Sequence, residues 1–411
     1  MKNLGGALAL LLALGTPSFA GLPDAWSTAF PVPLPALPSP PGAPPSLPVF
    51  AAAPPVPVVS FKGLSIKSLQ FSRTDRIPVS LVGAIDRTEK TLLLALYDLK
   101  LSEVADALLR AKERGVLISV VYDEGHTKPA VPGAGSGPSD EYLALLAAGV
   151  PIRLLKGGGS FGIMHHKYAV FDGELLMTGS FNWTRPADER HFENAVFKTD
   201  PALIAGFTRN WKWMWSQGRP PTEPKGEEVS LPHAVGEGPP ADTAKPVAFN
   251  GGKFPRYAFS PKGGVEDMLV DAISRSKKTI DVAMFSFYAQ RVADALIAAR
   301  KRGVVVRVVA DTMQARRSQP MLALSESGVS LRLSAGRDGT GVMHHKYALF
   351  DGTLLMSGSY NFSANAEQFN FENDLFTVAP ADAGAFGGEF AFVWAQAHKP
   401  SPDELPVPKS L

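Results

Sequence analysis

The sequence contains one short pattern twice, and this duplication constrains the fold more than any other feature. The copies MHHKYAVFDGELLMTGSFNWT and MHHKYALFDGTLLMSGSYNFS place His165 and His344 179 residues apart. In each copy a Lys follows the His by two residues, an Asp by seven, a Gly-Ser pair by fourteen and fifteen, an Asn by seventeen and a Glu by twenty-eight. Strand or helix propensity does not explain polar residues at identical offsets, so the pattern indicates a duplicated unit with a chemical purpose.

The duplication extends to the apolar framework around these motifs. The run LLLALYDL, VADALLRAKERG, VLISVVYD at 92–123 returns as DVAMFSF, VADALIAARKRG, VVVRVVAD at 281–311. Strand, amphipathic helix and strand in this order indicate βαβ units, so the predicted class is α/β with two similar mixed-sheet domains flanked by helices. Six aromatic residues, spaced by four in each copy, are predicted to close the core of their own domain: Phe207, Trp211 and Trp215, then Phe386, Phe390 and Trp394.

Composition divides the rest of the chain into predicted segments. Lys2, an apolar run and Ser18-Phe19-Ala20 are typical of a secretory signal peptide, so we expect export to the periplasm or the medium. Pro-rich stretches predict a semi-rigid tether and a tail, and a Gly/Pro-rich stretch predicts a linker. The predicted boundaries are signal peptide 1–20, tether 21–58, first domain 59–218, linker 219–252, second domain 253–398 and tail 399–411.

Bulk composition excludes several classes of site. The 411 residues include no Cys, which rules out disulfides, thiolate catalysis and zinc–thiolate centres. The 41 basic and 39 acidic residues give a net charge of +2, so no overall positive charge indicates a polyanionic partner.

Alternation along strands predicts which polar residues share a face. His165 and Lys167 lie two apart and are expected on one face, with His166 turned away, and the second copy repeats this arrangement with His344, Lys346 and His345. Asp172-Gly173 predicts a tight hairpin turn into a returning strand. Ser180 and Asn182, and likewise Ser359 and Asn361, are again two apart and are predicted to face the same pocket.

These residue types suit attack on a phosphodiester. A neutral imidazole can attack phosphorus and form a covalent intermediate, and a second His can protonate the leaving oxygen and then activate water. The Glu that follows each His by twenty-eight residues, Glu193 or Glu372, is expected to accept the other ring N–H of that His. Lysines and neutral donors stabilise the charge on the non-bridging oxygens.

The doubled spacing H-x-K-x4-D-x6-G-S-x-N resembles the phospholipase D superfamily, and the repeat covers nearly all of residues 60–398. The resemblance implies that the two motifs meet at a pseudo-twofold interface, with His165 as nucleophile and His344 as general acid/base. It also implies roles for Lys167, Lys346, Asp172 and Asp351 in the catalytic set, although a turn-forming role suits both Asp residues equally. No metal or cofactor is expected, and one monomeric chain would contain both half-sites.

The sequence does not decide which class of phosphodiester is the substrate. Export and two motifs in one chain favour a phospholipase D acting on glycerophospholipids, with a membrane surface as partner. The flanks TGSFNWT and HFENAVF are similar to the small bacterial endonucleases of the superfamily, which favours a metal-independent nuclease. A cardiolipin-synthase-like protein is a weaker interpretation because no N-terminal membrane helices are evident, and a binding module without turnover is the remaining alternative.

Overall fold

The computed structural model describes residues 54–128, 137–221 and 239–407. The predicted signal peptide, most of the predicted tether and much of the predicted linker lie outside these ranges. Among the described residues, no helix combines the length and the apolar character needed to cross a membrane.

The first half contains eleven strands and five helices within its described ranges. The strands are β1 Val58–Phe61, β2 Leu64–Lys67, β3 Leu69–Phe71, β4 Thr91–Leu96, β5 Leu99–Lys100, β6 Leu117–Asp123, β7 Ile152–Leu155, β8 Lys167–Phe171, β9 Leu175–Gly179, β10 Trp183–Thr184 and β11 Asn194–Lys198. The helices are α1 Ile77–Arg87, α2 Ser102–Glu113, α3 Asp140–Ala147, α4 Arg185–Glu189 and α5 Pro201–Gln217.

The second half follows a similar order, without counterparts of β5 and β10 and with one additional short helix. Its strands are β12 Val247–Phe249, β13 Gly252–Phe254, β14 Tyr257–Ser260, β15 Thr279–Met284, β16 Val305–Asp311, β17 Ser330–Ser334, β18 Lys346–Phe350, β19 Leu354–Gly358 and β20 Glu372–Thr377. Its helices are α6 Val265–Arg275, α7 Gln290–Lys301, α8 Thr312–Ala315, α9 Gln319–Glu326, α10 Ala364–Gln368 and α11 Pro380–Gln396.

Each half is built on a seven-stranded mixed sheet, and the strand orders correspond. They are β3-β11-β9-β8-β4-β6-β7 and β14-β20-β19-β18-β15-β16-β17. Strands β4, β6 and β7 are parallel because helices connect them, whereas β8 runs antiparallel to both β4 and β9. Both faces of the sheet are covered, which is why its central strands are almost entirely apolar. The predicted α/β class with two similar mixed-sheet halves is confirmed.

A third buried cluster joins the two halves. Two clusters lie within single halves, whereas the third combines β3 and α5 of the first half with β14 and α11 of the second. The ring centroids of Phe71 and Phe386 are 5.2 Å apart, and those of Phe207 and Phe259 are 5.0 Å apart. The prediction that these aromatic residues close only their own domain is therefore wrong, because both helices pack into a core that the halves share.

Strands β8 and β18 begin at the motif lysines, and Asp172 and Asp351 follow the opposite ends of these strands. Asp172 forms a hairpin turn with Gly173, and both have positive φ, as the predicted DG turn requires. Its carboxylate accepts main-chain N–H bonds from Glu89, Lys90 and Thr91 and pairs with Lys62 at 2.6 Å. Asp351 likewise accepts from the main chain at 277–279. The structure therefore gives both Asp residues a structural role in place of the predicted catalytic one. Asp172 joins its hairpin to the start of β4, and Asp351 joins its hairpin to the start of β15.

Replacing Asp172 with Asn should destabilise the fold. The change weakens charge-assisted hydrogen bonds to a carboxylate that is shielded from solvent, so we expect the free energy of unfolding to fall by about 1–3 kcal/mol. Asp172 has a pKa below its usual value because the Lys62 ion pair and main-chain donors outweigh burial, which raises the pKa. A lowered folded-state pKa stabilises the protein above the unfolded pKa, and this contribution is lost as pH falls through the folded pKa. Denaturant unfolding at several pH values measures the difference.

The exposed Asp106→Asn variant is the matched control and should unfold like the wild type. Asp172→Asn protein that is as stable as the wild type at neutral pH would contradict the structural role.

Candidate active site

Main-chain pairing brings each motif beside the opposite half. The N–H of His165 donates to the carbonyl of Phe371 at 2.9 Å, and the N–H of His344 donates to the carbonyl of Phe192 at 3.1 Å. Met164 forms a parallel bridge with Phe371. These two residues directly precede His165 and Glu372 in the chain. Each His therefore enters the interface directly beside the segment that begins the glutamate strand of the other half.

The two histidines pair with glutamates across the interface. Nδ1 of His165 lies 2.8 Å from Oε2 of Glu372, and Nδ1 of His344 lies 2.8 Å from Oε1 of Glu193. The second contact is bent away from hydrogen-bond geometry. The prediction that each His pairs with the Glu of its own copy is therefore wrong. The parallel bridges explain the crossing, because they align each His with the strand of the opposite half.

Each carboxylate lies beside Nδ1, so Nε2 of each imidazole is the nitrogen that can react with a substrate. A carboxylate beside Nδ1 favours the tautomer protonated there, with the lone pair on Nε2. Burial, reinforced by the neighbouring lysines, lowers the pKa of His165 well below its usual value. Burial likewise lowers the pKa of His344 to about 3. Both rings are therefore neutral at neutral pH in the free protein and can act as a nucleophile or a base.

Lys167 and Lys346 are both buried, and each ammonium donates to the carbonyl of the His two residues earlier, at 2.5 Å and 2.7 Å. Each also lies against an aromatic ring, Tyr97 at 4.7 Å and Phe285 at 5.1 Å. Burial lowers the pKa of Lys346 to about 8 and that of Lys167 well below its usual value. The site therefore keeps two desolvated amines close to both histidines.

The aromatic partners Tyr97 and Phe285 were missed by sequence reasoning. Their rings also contact the histidines, with centroid distances of 4.7 Å to His165 and 4.6 Å to His344. They occupy corresponding positions at the ends of the repeated strands β4 and β15, and this correspondence could have identified them.

The predicted substrate contacts divide into two groups. Ser180 and Ser359 are buried, and their hydroxyls accept the main-chain N–H of Asn194 and Asn373, both at 3.0 Å. Each hydroxyl thus binds the strand that carries the glutamate of its own half, and that of Ser359 also hydrogen-bonds Glu372. Asn182 and Asn361 are half-buried and their side-chain oxygens have no hydrogen-bond partner. Both side chains therefore remain able to bind a ligand.

The second histidine of each motif is turned away from the first, as predicted, and reaches across the interface. Nδ2 of Asn373 donates to Nδ1 of His166 at 2.8 Å, and Nδ2 of Asn194 donates to Nδ1 of His345 at 3.1 Å. Both asparagines follow the glutamates directly in the chain, yet sequence reasoning gave them no role. Among the residues that the structure describes, no cluster of His, Asp or Glu is arranged to hold a metal ion.

Comparison with known proteins agrees with this duplicated site. A family model described as "Cardiolipin synthase, PLD-like domain" matches residues 81–215 and 269–394, one segment in each half. Sequence reasoning ranked the cardiolipin-synthase-like interpretation below the phospholipase and the nuclease.

Curated relatives match a little over one third of the chain. A mitochondrial cardiolipin hydrolase of Xenopus laevis is 32% identical over 151 residues, which cover 37% of this chain and 65% of the relative. A phospholipase D of Rickettsia conorii is 26% identical over 165 residues, covering 37% and 77%. The match thus spans just under two thirds of the Xenopus protein's length.

Solved structures also match both halves together. The phosphatidylserine synthase of Haemophilus influenzae Rd KW20 is 15% identical with a TM-score of 0.62, and the match covers 84% of this chain and 89% of that one. This likeness shows the shared fold. With a family model that matches both halves, and the paired His, Lys and Glu residues at their interface, the chain belongs to the PLD-like domain family of the phospholipase D superfamily.

Proposed function

We propose that the protein is an exported phosphodiesterase that cleaves glycerophospholipids through a phosphohistidine intermediate. The observation that carries the proposal is the pair of crossed dyads, His165–Glu372 and His344–Glu193, each with a buried lysine beside it. Two imidazoles with Nε2 free supply a nucleophile and a separate acid/base, which a two-step displacement at phosphorus requires. One chain contains both dyads, so we expect the monomer to be active.

In the first step Nε2 of His165 attacks phosphorus. The bond from phosphorus to the leaving oxygen breaks as the P–N bond forms, and that oxygen takes the proton from Nε2 of His344. The anionic phosphodiester brings negative charge into the site, which together with Glu193 favours protonation of His344 when substrate binds.

In the second step the neutral His344 accepts a proton from water as the water oxygen attacks phosphorus. The P–N bond breaks, which returns His165 to its neutral form and His344 to its protonated form. An alcohol in place of water would yield a transferred phosphatidyl group by the same route.

The lysines and amides stabilise the charge that develops. The buried ammonium groups of Lys167 and Lys346 face the non-bridging oxygens, where a low-dielectric setting strengthens the attraction. Asn182 and Asn361 are half-buried, and the Nδ2 group of each can donate a hydrogen bond to a non-bridging oxygen.

Two exposed aromatic rings support a lipid substrate. Phe161, 80% exposed, lies in the glycine-rich loop just before His165, and Phe369, 39% exposed, packs beside that loop. The N–H of Gly158 donates to the carbonyl of Phe369 at 2.8 Å, which holds this loop against Phe369. Apolar rings on the loop that leads into the site suit an acyl-chain surface better than a phosphate backbone. The names of the relatives, cardiolipin hydrolase and phospholipase D, point the same way.

Export is part of the proposal and rests on the predicted signal peptide. Expression of the full chain in a bacterial host should release protein whose N-terminus follows Ala20, as measured by the intact mass. Full-length protein retained in the cytoplasm would contradict export.

Replacing either histidine should nearly abolish turnover. We expect His165→Ala and His344→Ala each to lower kcat by about 10²-fold or more, because each removes one of two coupled roles. With a good leaving group His344→Ala should accumulate a phosphatidyl adduct on the peptide that contains His165, which mass spectrometry detects. His398→Ala, in the C-terminal segment, is the control. An adduct on the His344 peptide of the wild type would reverse the assignment.

Activity should fall at alkaline pH. Since the pKa of Lys346 is about 8, the ammonium and its stabilisation of the transition state are present below that pH and lost as pH rises through it. A pH profile of kcat/KM shows this limb. A Lys346→Ala variant should have low activity at all pH values and lack the limb. A wild-type profile that stays flat from pH 7 to about 10 would argue against this role.

The substrate class is tested with residues 59–411 in EDTA, since the mechanism uses no metal. Phosphatidylcholine, phosphatidylglycerol and cardiolipin vesicles are offered beside single- and double-stranded DNA, with His165→Ala as the control. Head-group release or transfer that the variant lacks supports the lipase. Cleavage of DNA with intact lipid would make the protein a nuclease, and loss of all activity in EDTA would contradict the mechanism.

A further inference from the structure

A charged cavity of about 330 Å³, within the size range of small-molecule sites, lies beside the His344–Glu193 dyad. Its walls come from both halves: residues 72–76, Asp188 and Glu189 from the first, and Arg337 from the second. Ser72 links it to the dyad, because the Ser72 hydroxyl accepts the main-chain N–H of Glu193 at 3.0 Å. Ser72 follows β3 and Glu193 precedes β11, its antiparallel neighbour. The cavity therefore lies at the end of the sheet where the active site is found.

Part of the charge that lines this cavity is already compensated. Arg73 donates twice to Oε2 of Glu389, at 3.1 Å and 2.9 Å, and Asp75 pairs with Lys67 at 2.6 Å. Glu189 is exposed, so solvent screens its carboxylate. None of these three charges depends on a ligand for compensation.

Arg337 is a half-buried cation that forms no ion pair within the described part of the chain. Its guanidinium donates to the carbonyls of Ser72 and Asp188, and its Nε–H has no hydrogen-bond partner there. Burial lowers the pKa of Arg337, although nearby carboxylates oppose this effect. The lost hydration of the cation is therefore not fully replaced, and an anionic group in the cavity would stabilise it.

Asp188 lines the same cavity as an acceptor with spare capacity. Its side chain is 2% exposed, and Oδ2 lies 3.4 Å from Nε of Arg76. Among the described residues, no donor reaches its Oδ1. Burial raises the pKa of Asp188, although three arginines oppose this effect. A buried carboxylate oxygen without a donor is costly, so a ligand that brings an N–H or O–H group suits this position.

The second half uses the corresponding acid differently. Glu367 stands where Asp188 stands, at the repeat offset of 179. Its carboxylate caps α6 by accepting the main-chain N–H groups of Gly264 and Glu266, both at 3.0 Å. The first turn of α1 receives no side-chain cap. The first half therefore leaves both Asp188 Oδ1 and a partially positive helix N-terminus available to a ligand.

The arginines also have uncharged counterparts across the repeat. Gly158 stands at the position of Arg337, and Phe369 at that of Arg190, both at the offset of 179. The main-chain contact is the same in both copies: Gly158 N–H donates to the Phe369 carbonyl at 2.8 Å, and Arg337 N–H donates to the Arg190 carbonyl at 2.9 Å. Equivalent loops thus give the active site one apolar flank, which includes Phe161, and one charged flank.

We propose that this cavity is a head-group subsite, which selects phospholipids whose head group combines an anionic group with a hydrogen-bond donor. The anionic group contacts Arg337 and Arg76, and the donor contacts Oδ1 of Asp188. Serine has this chemistry in its carboxylate and ammonium groups. The glycerol of cardiolipin has it in a hydroxyl group and a second phosphodiester. The inference rests on the proposed phosphodiesterase function.

The subsite fixes the direction of the bound lipid. In the proposed mechanism the leaving oxygen of the head group lies at His344, whose partner Glu193 adjoins the cavity. The acyl chains then extend toward the opposite flank, at Phe161 and Phe369. One flank therefore recognises the head group, and the other contacts the acyl chains.

Binding is tested without catalysis by NMR of the arginine Nε–H groups in the full chain labelled with ¹⁵N-arginine. Glycerol phosphate and L-serine are the probes, because each combines an anionic group with a donor and neither contains a phosphodiester. The signal that is lost in Arg337→Gln identifies Arg337. This signal should shift when a probe is added to the wild type, and Asp188→Asn should weaken the binding of L-serine about tenfold.

The two probes distinguish the sources of the anion. A shift with glycerol phosphate alone supports a second phosphate, and a shift with L-serine alone supports an amino-acid head group. An Arg337 signal that moves with neither probe would overturn the subsite.

Selectivity is tested with short-chain phospholipids dissolved as monomers, so that membrane charge does not contribute. Phosphatidylserine and cardiolipin are compared with phosphatidylcholine, whose head group has neither a net negative charge nor an N–H or O–H donor. For the preferred lipid, Arg337→Gln should lower the kcat/KM ratio to phosphatidylcholine about tenfold. Arg87→Gln, which removes the same charge at the other end of α1, is the matched control.

A second variant guards against a folding defect. Should Arg337→Gln lower the thermal unfolding temperature, Arg76→Gln replaces it, since the Arg76 side chain is 70% exposed. A ratio that neither variant changes would overturn the subsite while phospholipid turnover leaves the proposed function intact. A probe-dependent Arg337 shift in a protein that turns over no phospholipid would instead contradict the proposed function, and the anion site would stand.

Discussion

Main-chain pairing between the halves is the constraint on which the site depends. Because His165 and His344 donate their own N–H groups to carbonyls at 371 and 192, each imidazole lies beside the glutamate of the opposite half. A buried carboxylate is costly unless it is paired, so neither half on its own would offer its glutamate the histidine that it contacts. The shared aromatic core then keeps the two halves in the register that this exchange needs.

The duplicated chain produces two half-sites that are similar but not identical. Both copies provide a neutral imidazole, a buried amine and an aromatic ring that covers the amine. The surroundings of the glutamates are not equivalent, because an amide stands in one copy where a histidine stands in the other.

The sequence allowed the α/β class, the βαβ framework and the histidine, lysine and glutamate residues to be predicted, because periodicity and identical offsets report on local structure. Prediction from the sequence failed where contacts join segments that are distant in the chain. The Glu twenty-eight residues after each His appeared to belong to it, yet the parallel bridge that aligns His165 with Glu372 is a tertiary feature with no local signature. The same limit hid the role of Asn194, whose side chain contacts His345 of the opposite half.

The crossed pairing is tested most directly by proton NMR of the low-field Nδ1–H signals in ¹⁵N-histidine protein. The account predicts that Glu372→Gln shifts or removes the His165 signal and leaves that of His344, and that Glu193→Gln does the reverse. Loss of the His165 signal in Glu193→Gln, with the signal intact in Glu372→Gln, would show that each histidine pairs within its own half and would contradict the account.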